Sequence, residues 1–240
     1  MSSTIRLYFP DKIQSDLSPH LPKEQTHYVK DVMRLKIGDK LSIFNSQGEW
    51  NSVIESYEKS GVKIKIMEKV RDKGNEKNIW LAFSPIKQNP LNFVIQKGTE
   101  LGVQKFIPIL SERTVVRKIN IQRIKKIIVE ASEQSNRISI PVINKLVSLK
   151  NFLSEFPKAG SLIFCDINSD ETDLKNIISK KKQGPICILI GPEGDFSEKE
   201  RQLIIEKKEI FSLSLANNLL RAETAAIAAV TIVNYHLNFN

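Results

Sequence analysis

The sequence predicts an α/β protein in two parts, a small β-rich module followed by a larger domain built on a mostly parallel sheet. Up to about residue 71, short runs of alternating apolar residues follow one another, with one helical segment among them. From residue 79 onwards, short apolar runs alternate with amphipathic segments, as in a parallel sheet covered by helices. The charged stretch VRDKGNEKN at 70–78 has no apolar periodicity and is the predicted linker. We therefore expect two domains, 1–72 and 73–240.

The first part should contain one helix among short strands. Apolar residues lie on one side of Pro22–Leu35, which predicts an amphipathic helix, and Gly38-Asp39 then turns the chain into a strand. A module of this size lies near the lower limit for independent folding. The predicted strands are Ile5–Phe9, Lys40–Phe44, Glu49–Tyr57 and Val62–Glu68.

Helices in the second part carry their own boundary signals. Asn89 and Pro90 predict an N-cap and a first helical position, and Gly102 predicts the C-terminal stop. Asn120 is the predicted cap of the next, longer helix. The predicted strands are 79–83, 106–110, 161–166, 186–190 and 210–215, and the predicted helices are 89–101, 120–136, 174–182, 198–208 and 222–237.

The composition is that of an ordinary globular protein, with 41% hydrophobic and 26% charged residues among 240. No apolar run approaches the ~20 residues that cross a bilayer, and the first residues have no signal-peptide pattern, so we expect a cytoplasmic protein without a membrane partner. Cys165 and Cys187 each lie in an apolar run, and the three histidines are far apart. We therefore expect buried thiols, no disulfide and no metal site.

The charge favours a polyanionic partner. Lys and Arg outnumber Asp and Glu by 36 to 27, which gives a net charge of +9 and an isoelectric point near 9.4. Such a balance fits nucleic-acid binding through phosphate contacts. A lysine-rich, solvated surface would give the same balance, so the charge alone leaves both interpretations open.

A glycine loop follows a short, continuous apolar run. Ile186–Ile190 continues into GPEG at 191–194, where a ligand can approach the main chain with no side chain between. Ser197 and Glu200 then form a capping box that opens a helix. A tight turn without a ligand is the alternative interpretation. The loop lacks the Lys and Ser/Thr of a P-loop and the G-x-G-x-x-G of dinucleotide sites, so nucleotide phosphate binding has no specific support.

A second motif, LSLANNLLRAETAA at 213–226, follows some twenty residues later. Together the two segments resemble the paired C-terminal cofactor motifs of SPOUT methyltransferases. Three further segments resemble parts of the RsmE family of that class, namely HYVKDVMRLKIGDKLSIFN at 27–45, FVIQKGTELGVQKFIPILSERTVV at 93–116 and IIVEASEQSNRISIPVI at 127–143. The five segments occur in the family's order and cover most of the chain.

This resemblance implies a SPOUT α/β domain with a C-terminal trefoil knot, preceded by a PUA-like β-barrel that binds RNA. Composition could not have suggested the knot, because knots are nearly absent from protein folds. The family methylates N3 of one uridine in the decoding region of 16S ribosomal RNA with S-adenosylmethionine as cofactor. The implied partners are the small ribosomal subunit and a second copy of the chain in a homodimer.

The resemblance also implies which residues form the site. Arg221 would stabilise the uracil anion or fix a phosphate, and Glu193 or Glu223 would act as the base. A structural Arg221 and glutamates that only brace the loop or cap a helix are the alternatives. The cofactor would be held by Leu189, Ile190, Gly191, Gly194, Leu215, Asn217, Leu219, Leu220 and Thr224. RNA would be held by Lys23, Lys30, Arg34, Lys36, Arg113, Arg117 and Arg137, for which ordinary surface pairing is the alternative.

Three positions depart from the family pattern. Asp195 stands where the family usually has a second glycine after GPEG, and Ala216 and Asn218 replace a common Gly and Arg. The departures leave open a non-catalytic rRNA-binding assembly factor with the same fold. A SPOUT ribose 2′-O-methyltransferase acting on another RNA is the second alternative. A phosphate-binding nucleotidase or kinase comes last, because no metal-ligand cluster or catalytic Lys accompanies the loop.

Overall fold

The computed structural model describes residues 5–74, 76–179, 183–207 and 210–239. The chain forms two compact units, the first of which comprises Met1–Asn75 and Ser132–Ile140 and the second Glu76–Ala131 and Pro141–Asn240. The sequence boundary after residue 72 does not anticipate that a segment from the second half of the chain groups with the first unit.

The first unit is built on a four-stranded sheet in the order β1-β2-β3-β4. β1 is Arg6–Tyr8, β2 is Lys40–Asn45, β3 is Gly48–Glu58 and β4 is Gly61–Asp72. β1 is parallel to β2, and the other neighbours are antiparallel. β4 extends into the stretch predicted as a linker, because its last residues still pair with the start of β3.

The outer edge of β4 is covered by a preceding segment of the chain. The backbone N–H of Ile64 donates to the Pro19 carbonyl at 3.0 Å, and the N–H of Leu21 donates to the Val62 carbonyl at 2.8 Å. An uncovered edge would present unpaired donors and acceptors to other chains. Inside the unit, the core includes the fully buried side chains of Leu41, Ile43, Ile54, Val62 and Ile64.

The predicted N-terminal helix is shorter than expected. It consists of α1 (Lys23–His27), which continues as a π-helical turn over Tyr28–Val32. Arg34 then adopts a φ of 53°, the left-handed conformation that cannot continue a helix. Val32 and Met33, two apolar residues of the predicted helix, are 56% and 41% exposed.

The second unit contains a parallel sheet in the order β11-β9-β10-β5-β6-β7, with β8 also paired to β6. Its strands are β5 (Ile79–Phe83), β6 (Val103–Leu110), β7 (Val142–Ile143), β8 (Val147–Ser148), β9 (Ser161–Cys165), β10 (Ile186–Ile190) and β11 (Ile210–Leu213). Every residue of β10 is buried between β9 and β5, which is why its sequence is continuously apolar.

The helices of the described residues beyond α1 are α2 (Gln88–Glu100), α3 (Ile121–Gln134), α4 (Leu149–Glu155), α5 (Leu174–Ser179), α6 (Glu198–Ile205) and α7 (Ala222–Phe239). The N-cap of α2 is Lys87, so the prediction of Asn89 as its cap was wrong, and Pro90 lies in the first turn, where no helical N–H bond is lost. Gly102, with a φ of 96°, is confirmed as the stop. The short elements β7, β8 and α4 were not predicted, and the predicted end of α5 at 180–182 lies outside the described residues.

Two further findings concern possible spans and metal sites. Across the described ranges, no helix is long and apolar enough to cross a membrane, and no group of His, Cys, Asp and Glu could hold a metal ion. Cys165 and Cys187 are free thiols. Burial raises the pKa of Cys165 to about 12 and also raises that of Cys187, so neither is a ready nucleophile at neutral pH.

Candidate functional site

The two predicted cofactor motifs lie at the same, carboxyl edge of the parallel sheet. The glycine loop follows β10, the second motif follows β11, and both strands pair with β9. Ligands of open α/β sheets bind at this edge, because the loops that leave neighbouring strands there enclose a crevice. The topology therefore brings together two segments that are separate in sequence.

A small cavity of about 50 Å³ lies among the loops that follow β9 and β11. It contains Leu215 and Leu220, two of the predicted cofactor residues. Ala216 and Asn218, the two departures from the family pattern in this motif, also line it. The full lining is Cys165, Asp166, Ile167, Leu213, Ser214, Leu215, Ala216, Asn218, Leu220 and Ala225.

The other predicted cofactor residues do not line this cavity. Leu189 is fully buried in the core of the sheet, and the Ile190 carbonyl accepts a hydrogen bond from the Ser84 N–H at 3.1 Å. The side chains of both residues are therefore buried in the sheet. Further residues of the set are exposed, namely Gly194, Asn217, Leu219 and Thr224, and Gly191 is half-buried.

The glycine loop closes in a tight turn that ends in a left-handed residue. The N–H of Asp195 donates to the Pro192 carbonyl at 2.9 Å, and Asp195 has a φ of 59°. Its carboxylate Oδ1 accepts from the N–H of Phe196 at 2.7 Å. Asp can visit this conformation because its short polar side chain bonds locally. A glycine would adopt it without steric cost, which explains both the family pattern and how Asp195 can replace it.

The two glycines of the loop differ in why they lack a side chain. A Cβ on Gly191 would lie 3.0 Å from the Phe196 ring, so packing alone disfavours a larger residue. A Cβ on Gly194 would meet only Arg113, at the ordinary contact distance of 3.8 Å, and the φ of Gly194 is not positive. Neither the backbone conformation nor the packing therefore demands a glycine at 194.

A second loop, after β6, is bonded to the glycine loop. The guanidinium Nη1 of Arg113 donates to the Gly194 carbonyl at 2.9 Å, and the N–H of Glu112 donates to Glu200 Oε1 at 2.8 Å. Glu200 Oε2 accepts from the Ser197 N–H at 3.1 Å, which completes the predicted capping box of α6. Arg113 was predicted to face RNA. The structure shows that it also holds the loop of the candidate cofactor site.

Buried hydroxyl groups fix the base of this second loop. Ser111 and Thr114 share a hydrogen bond of 2.7 Å between their hydroxyls, and the Ser111 N–H donates to Thr114 Oγ1 at 2.9 Å. Ser84 Oγ lies 3.3 Å from Ser111 Oγ, and all three residues are at most 4% exposed. The ends of β5 and β6 are therefore tied together below Arg113.

The three predicted catalytic residues lie at two places on this edge. Arg221 is exposed, and its carbonyl accepts the N–H of Ala225 at 2.8 Å as α7 begins. Glu223 is half-buried in the first turn of α7, where a carboxylate interacts favourably with the helix dipole. Glu193 is exposed on the glycine loop. Their positions fit either a catalytic or a structural role.

A buried ion pair beside the cavity was not predicted. Asp166 is 3% exposed, and its Oδ2 accepts from Nε and Nη2 of Arg201 at 3.1 and 2.8 Å. Its Oδ1 accepts the N–H of Asn168 at 2.9 Å. The hydrogen bond to Asp166 raises the pKa of Arg201. A carboxylate that ends an apolar strand run was the sequence signal that could have identified this pair.

In the first unit, four predicted RNA-binding residues are exposed and one is not. Lys23, Lys30, Arg34 and Lys36 are all exposed around α1 and the turn after it. Arg137 is 8% exposed, and its Nη2 donates to Ser139 Oγ at 2.8 Å. A contact with an RNA phosphate needs an accessible guanidinium, so the burial of Arg137 weakens its assignment. Arg117, in the second unit, is exposed and donates to the Glu112 carbonyl at 3.3 Å.

A buried charge network explains why 132–140 joins the first unit. Arg6 donates to Glu49 through Nε at 2.9 Å and to the carbonyls of Glu133 and Arg137 at 2.9 and 2.8 Å. Arg71 donates to Glu49 Oε2 at 2.6 Å. Glu133 and Arg137, the latter predicted to bind RNA, thus have a structural role in this unit.

Family models and a named relative match most of the chain. One family model, described as an RNA methyltransferase domain, matches residues 73–234, and another, an RNA methyltransferase PUA domain, matches 21–67. A Rickettsia conorii protein named Ribosomal RNA small subunit methyltransferase E is 33% identical over 95% of this chain and 94% of its own.

Two solved structures are similar over almost the whole chain. The Ribosomal RNA small subunit methyltransferase E of Neisseria gonorrhoeae, bound to S-adenosyl methionine, has a TM-score of 0.88 at 27% identity and covers 99% of this chain and 100% of its own. A Legionella pneumophila protein, solved in complex with the bound cofactor SAM, has a TM-score of 0.85 at 31% identity and covers 98% of each chain.

Proposed function

Because the chain belongs to the ribosomal RNA small subunit methyltransferase E family, we propose that it methylates N3 of one uridine in the decoding region of 16S ribosomal RNA. It is an RNA methyltransferase that uses S-adenosylmethionine. The observation that carries the proposal is full-length similarity to two cofactor-bound structures, with TM-scores of 0.88 and 0.85. The base and the atom methylated follow from the RsmE resemblance.

The residues at the sheet edge fit an adenosyl cofactor. Leu215 and Leu220 give the cavity apolar walls, and the amide of Asn218 adds a donor and an acceptor there. Gly194 leaves its main chain open without the fold requiring a glycine. Bound S-adenosylmethionine supplies a methyl group already activated by its sulfonium centre. The protein's task is then to orient the uridine and to manage its N3 proton.

We assign one glutamate to the removal of the N3 proton and Arg221 to the negative charge that remains. The N3–H of uracil is weakly acidic, so a carboxylate of Glu193 or Glu223 would accept the proton as the methyl group is transferred. As the proton leaves, negative charge develops on the uracil ring until N3 bonds the methyl group, and the guanidinium of Arg221 would stabilise this charge. Exposure of Arg221 supports this role, since its side chain is accessible to a substrate.

RNA would be held by basic side chains of both units. Lys23, Lys30, Arg34 and Lys36 would contact phosphates on the first unit, where all four are exposed. The target base must leave its stack to reach the sheet edge. The trefoil knot and the homodimer implied by the resemblance belong to this proposal, and sedimentation of the purified protein tests the homodimer.

Transfer of labelled methyl to small ribosomal subunits that lack the modification tests the function. After nuclease digestion, nucleoside analysis should find a single 3-methyluridine. Arg221→Ala should lower the rate at least tenfold without changing cofactor affinity, whereas Arg221→Lys should retain part of the rate because it keeps the charge. A methylated ribose would instead identify a 2′-O-methyltransferase.

A non-catalytic assembly factor is the second candidate, because Ala216 and Asn218 both line the cavity. RNA binding without methyl transfer would favour it. Placing Gly at 216 and Arg at 218 should then produce methyl transfer that the unaltered protein lacks. If the unaltered protein is already active, this alternative is excluded.

A further inference from the structure

Two hydrogen bonds join the loop after β6 to the glycine loop and to α6, the helix that follows it. Arg113 uses a side-chain donor on the main-chain carbonyl of Gly194, at 2.9 Å. Glu112 uses a main-chain donor on the side chain of Glu200, at 2.8 Å. Because Glu200 also caps α6, the contacts span the glycine loop from its last glycine to the helix that follows. The loop after β6 therefore contacts both the glycine loop and the first turn of α6.

In the described residues, Arg113 uses only part of its hydrogen-bonding capacity. A guanidinium carries five N–H donors, and in the described part of the chain Arg113 bonds only to the Gly194 carbonyl. The side chain is exposed, whereas its neighbours Ser111 and Thr114 are buried and bonded to each other. A rigid base therefore presents a cation to solvent beside the glycine loop. Planar guanidinium groups are well suited to phosphate oxygens, which can accept two parallel hydrogen bonds.

We propose that Arg113 is a positioning residue that couples RNA binding to cofactor binding, with Nη1 on the Gly194 carbonyl and its remaining donors on an RNA phosphate. The proposal rests on the proposed function and goes beyond it in assigning one residue to both ligands. A phosphate on the guanidinium restricts the side chain to the rotamer that also holds the loop. Bound RNA therefore increases the affinity for the cofactor. By linkage, bound cofactor increases the affinity for RNA by the same factor.

Calorimetry of the full chain with S-adenosylhomocysteine, with and without an RNA oligonucleotide of the decoding-region sequence, tests the coupling. In the unaltered protein, RNA should tighten S-adenosylhomocysteine about fivefold or more, within the usual range of coupling between two sites. In Arg113→Gln, the affinity without RNA should fall and RNA should no longer change it. Lys118→Gln is the matched control, because Lys118 is an exposed cation of the same segment.

Lys118→Gln removes the same charge and should keep the full RNA effect. Arg113→Lys keeps the charge and one donor direction, so RNA should still increase its affinity for S-adenosylhomocysteine, but by less than in the unaltered protein. If thermal unfolding shows that Arg113→Gln is misfolded, Arg113→Lys is the variant that tests the inference. Equal coupling in the unaltered protein and the Arg113 variants would overturn the inference. If the unaltered protein binds no S-adenosylhomocysteine, the proposed function fails first and the inference with it.

Discussion

Arg201 and Asp166 form a two-bond ion pair in which Nε and Nη2 of the guanidinium donate to a single carboxylate oxygen, at 3.1 and 2.8 Å. The pair joins α6, which follows the glycine loop, to the chain just after β9, which lines the cavity. Asp166 has a side-chain exposure of 1% and Arg201 of 23%. The pair therefore ties α6 to the wall of the cavity that contains Asp166.

Replacing Arg201 by Met should destabilise the protein by about 3 kcal/mol, because it leaves the buried Asp166 carboxylate without its partner. This is the low end for buried pairs, since Arg201 keeps some contact with solvent. Asp166→Asn should cost less, because the amide oxygen still accepts from Asn168. Urea denaturation measures both, with Lys199→Gln on the exposed side of α6 as control. A cost for Arg201→Met no larger than the control's would contradict this account.

Gly194→Ala should leave the stability of the protein unchanged and weaken cofactor binding. A methyl group at 194 meets only Arg113 at an ordinary contact distance, so the melting temperature should stay within about 1 °C of the unaltered protein, as expected for a change without strain. Affinity for S-adenosylhomocysteine should fall about tenfold or more if a ligand approaches this main chain. Gly74→Ala is the control, since a Cβ there meets nothing within 4 Å. Equal affinities would remove the ligand explanation for this glycine.

Replacing Asp195 by glycine should leave the protein about as stable, whereas a β-branched residue at this position should destabilise it. Its φ of 59° is left-handed, so Asp195→Gly should change the free energy of unfolding by no more than about 1 kcal/mol. Asp195→Val should cost about 2 kcal/mol, because the branched side chain clashes in this conformation and the bond to the Phe196 N–H is lost. Chemical denaturation compares the two variants. Equal stability of both would mean that the loop relaxes out of the left-handed conformation.

Acid should weaken the first unit through Glu49. Burial alone raises the pKa of Glu49, but the hydrogen bonds and charges of Arg6 and Arg71 outweigh it and lower the pKa below the ordinary 4.5. A lowered folded-state pKa gives stability that is fully present above pH 4.5 and is lost as the pH falls through the folded value. Glu49→Gln should flatten this part of the stability profile, measured by thermal unfolding between pH 3 and 7. Parallel profiles for both proteins would show that Glu49 does not contribute.

The exposed basic residues around α1 should control the salt dependence of RNA binding. Replacing Lys30 and Lys36 by Gln should weaken binding and make the slope of log affinity against log salt shallower by about 0.7 to 0.9 for each lost phosphate contact. Lys59→Gln, on the β3–β4 turn, is an exposed control outside this surface. An equal change in slope for Lys59→Gln would show that only the total charge matters.

Much of the second unit was predictable because its signals are local. The continuous apolar run of Ile186–Ile190 gave β10 with its exact bounds, and Ser197 and Glu200 gave the capping box of α6. Asn120 was likewise correctly predicted as a cap, since its side chain accepts from the Arg123 N–H at 3.0 Å. Two-residue strands such as β7 carry too few residues for any period to show, and they form only because β6 is there to pair with them.

The sequence by itself determined the order of the elements, the family and the two motifs of the candidate site, because periodicity, caps and motifs are read from neighbouring residues. Only the tertiary structure decided which distant groups meet. Arg113 and Gly194 are 81 residues apart, and Arg6 and Glu49 are 43 apart. Such pairs are chosen by packing and by the need to satisfy buried polar groups, and no local pattern records that choice.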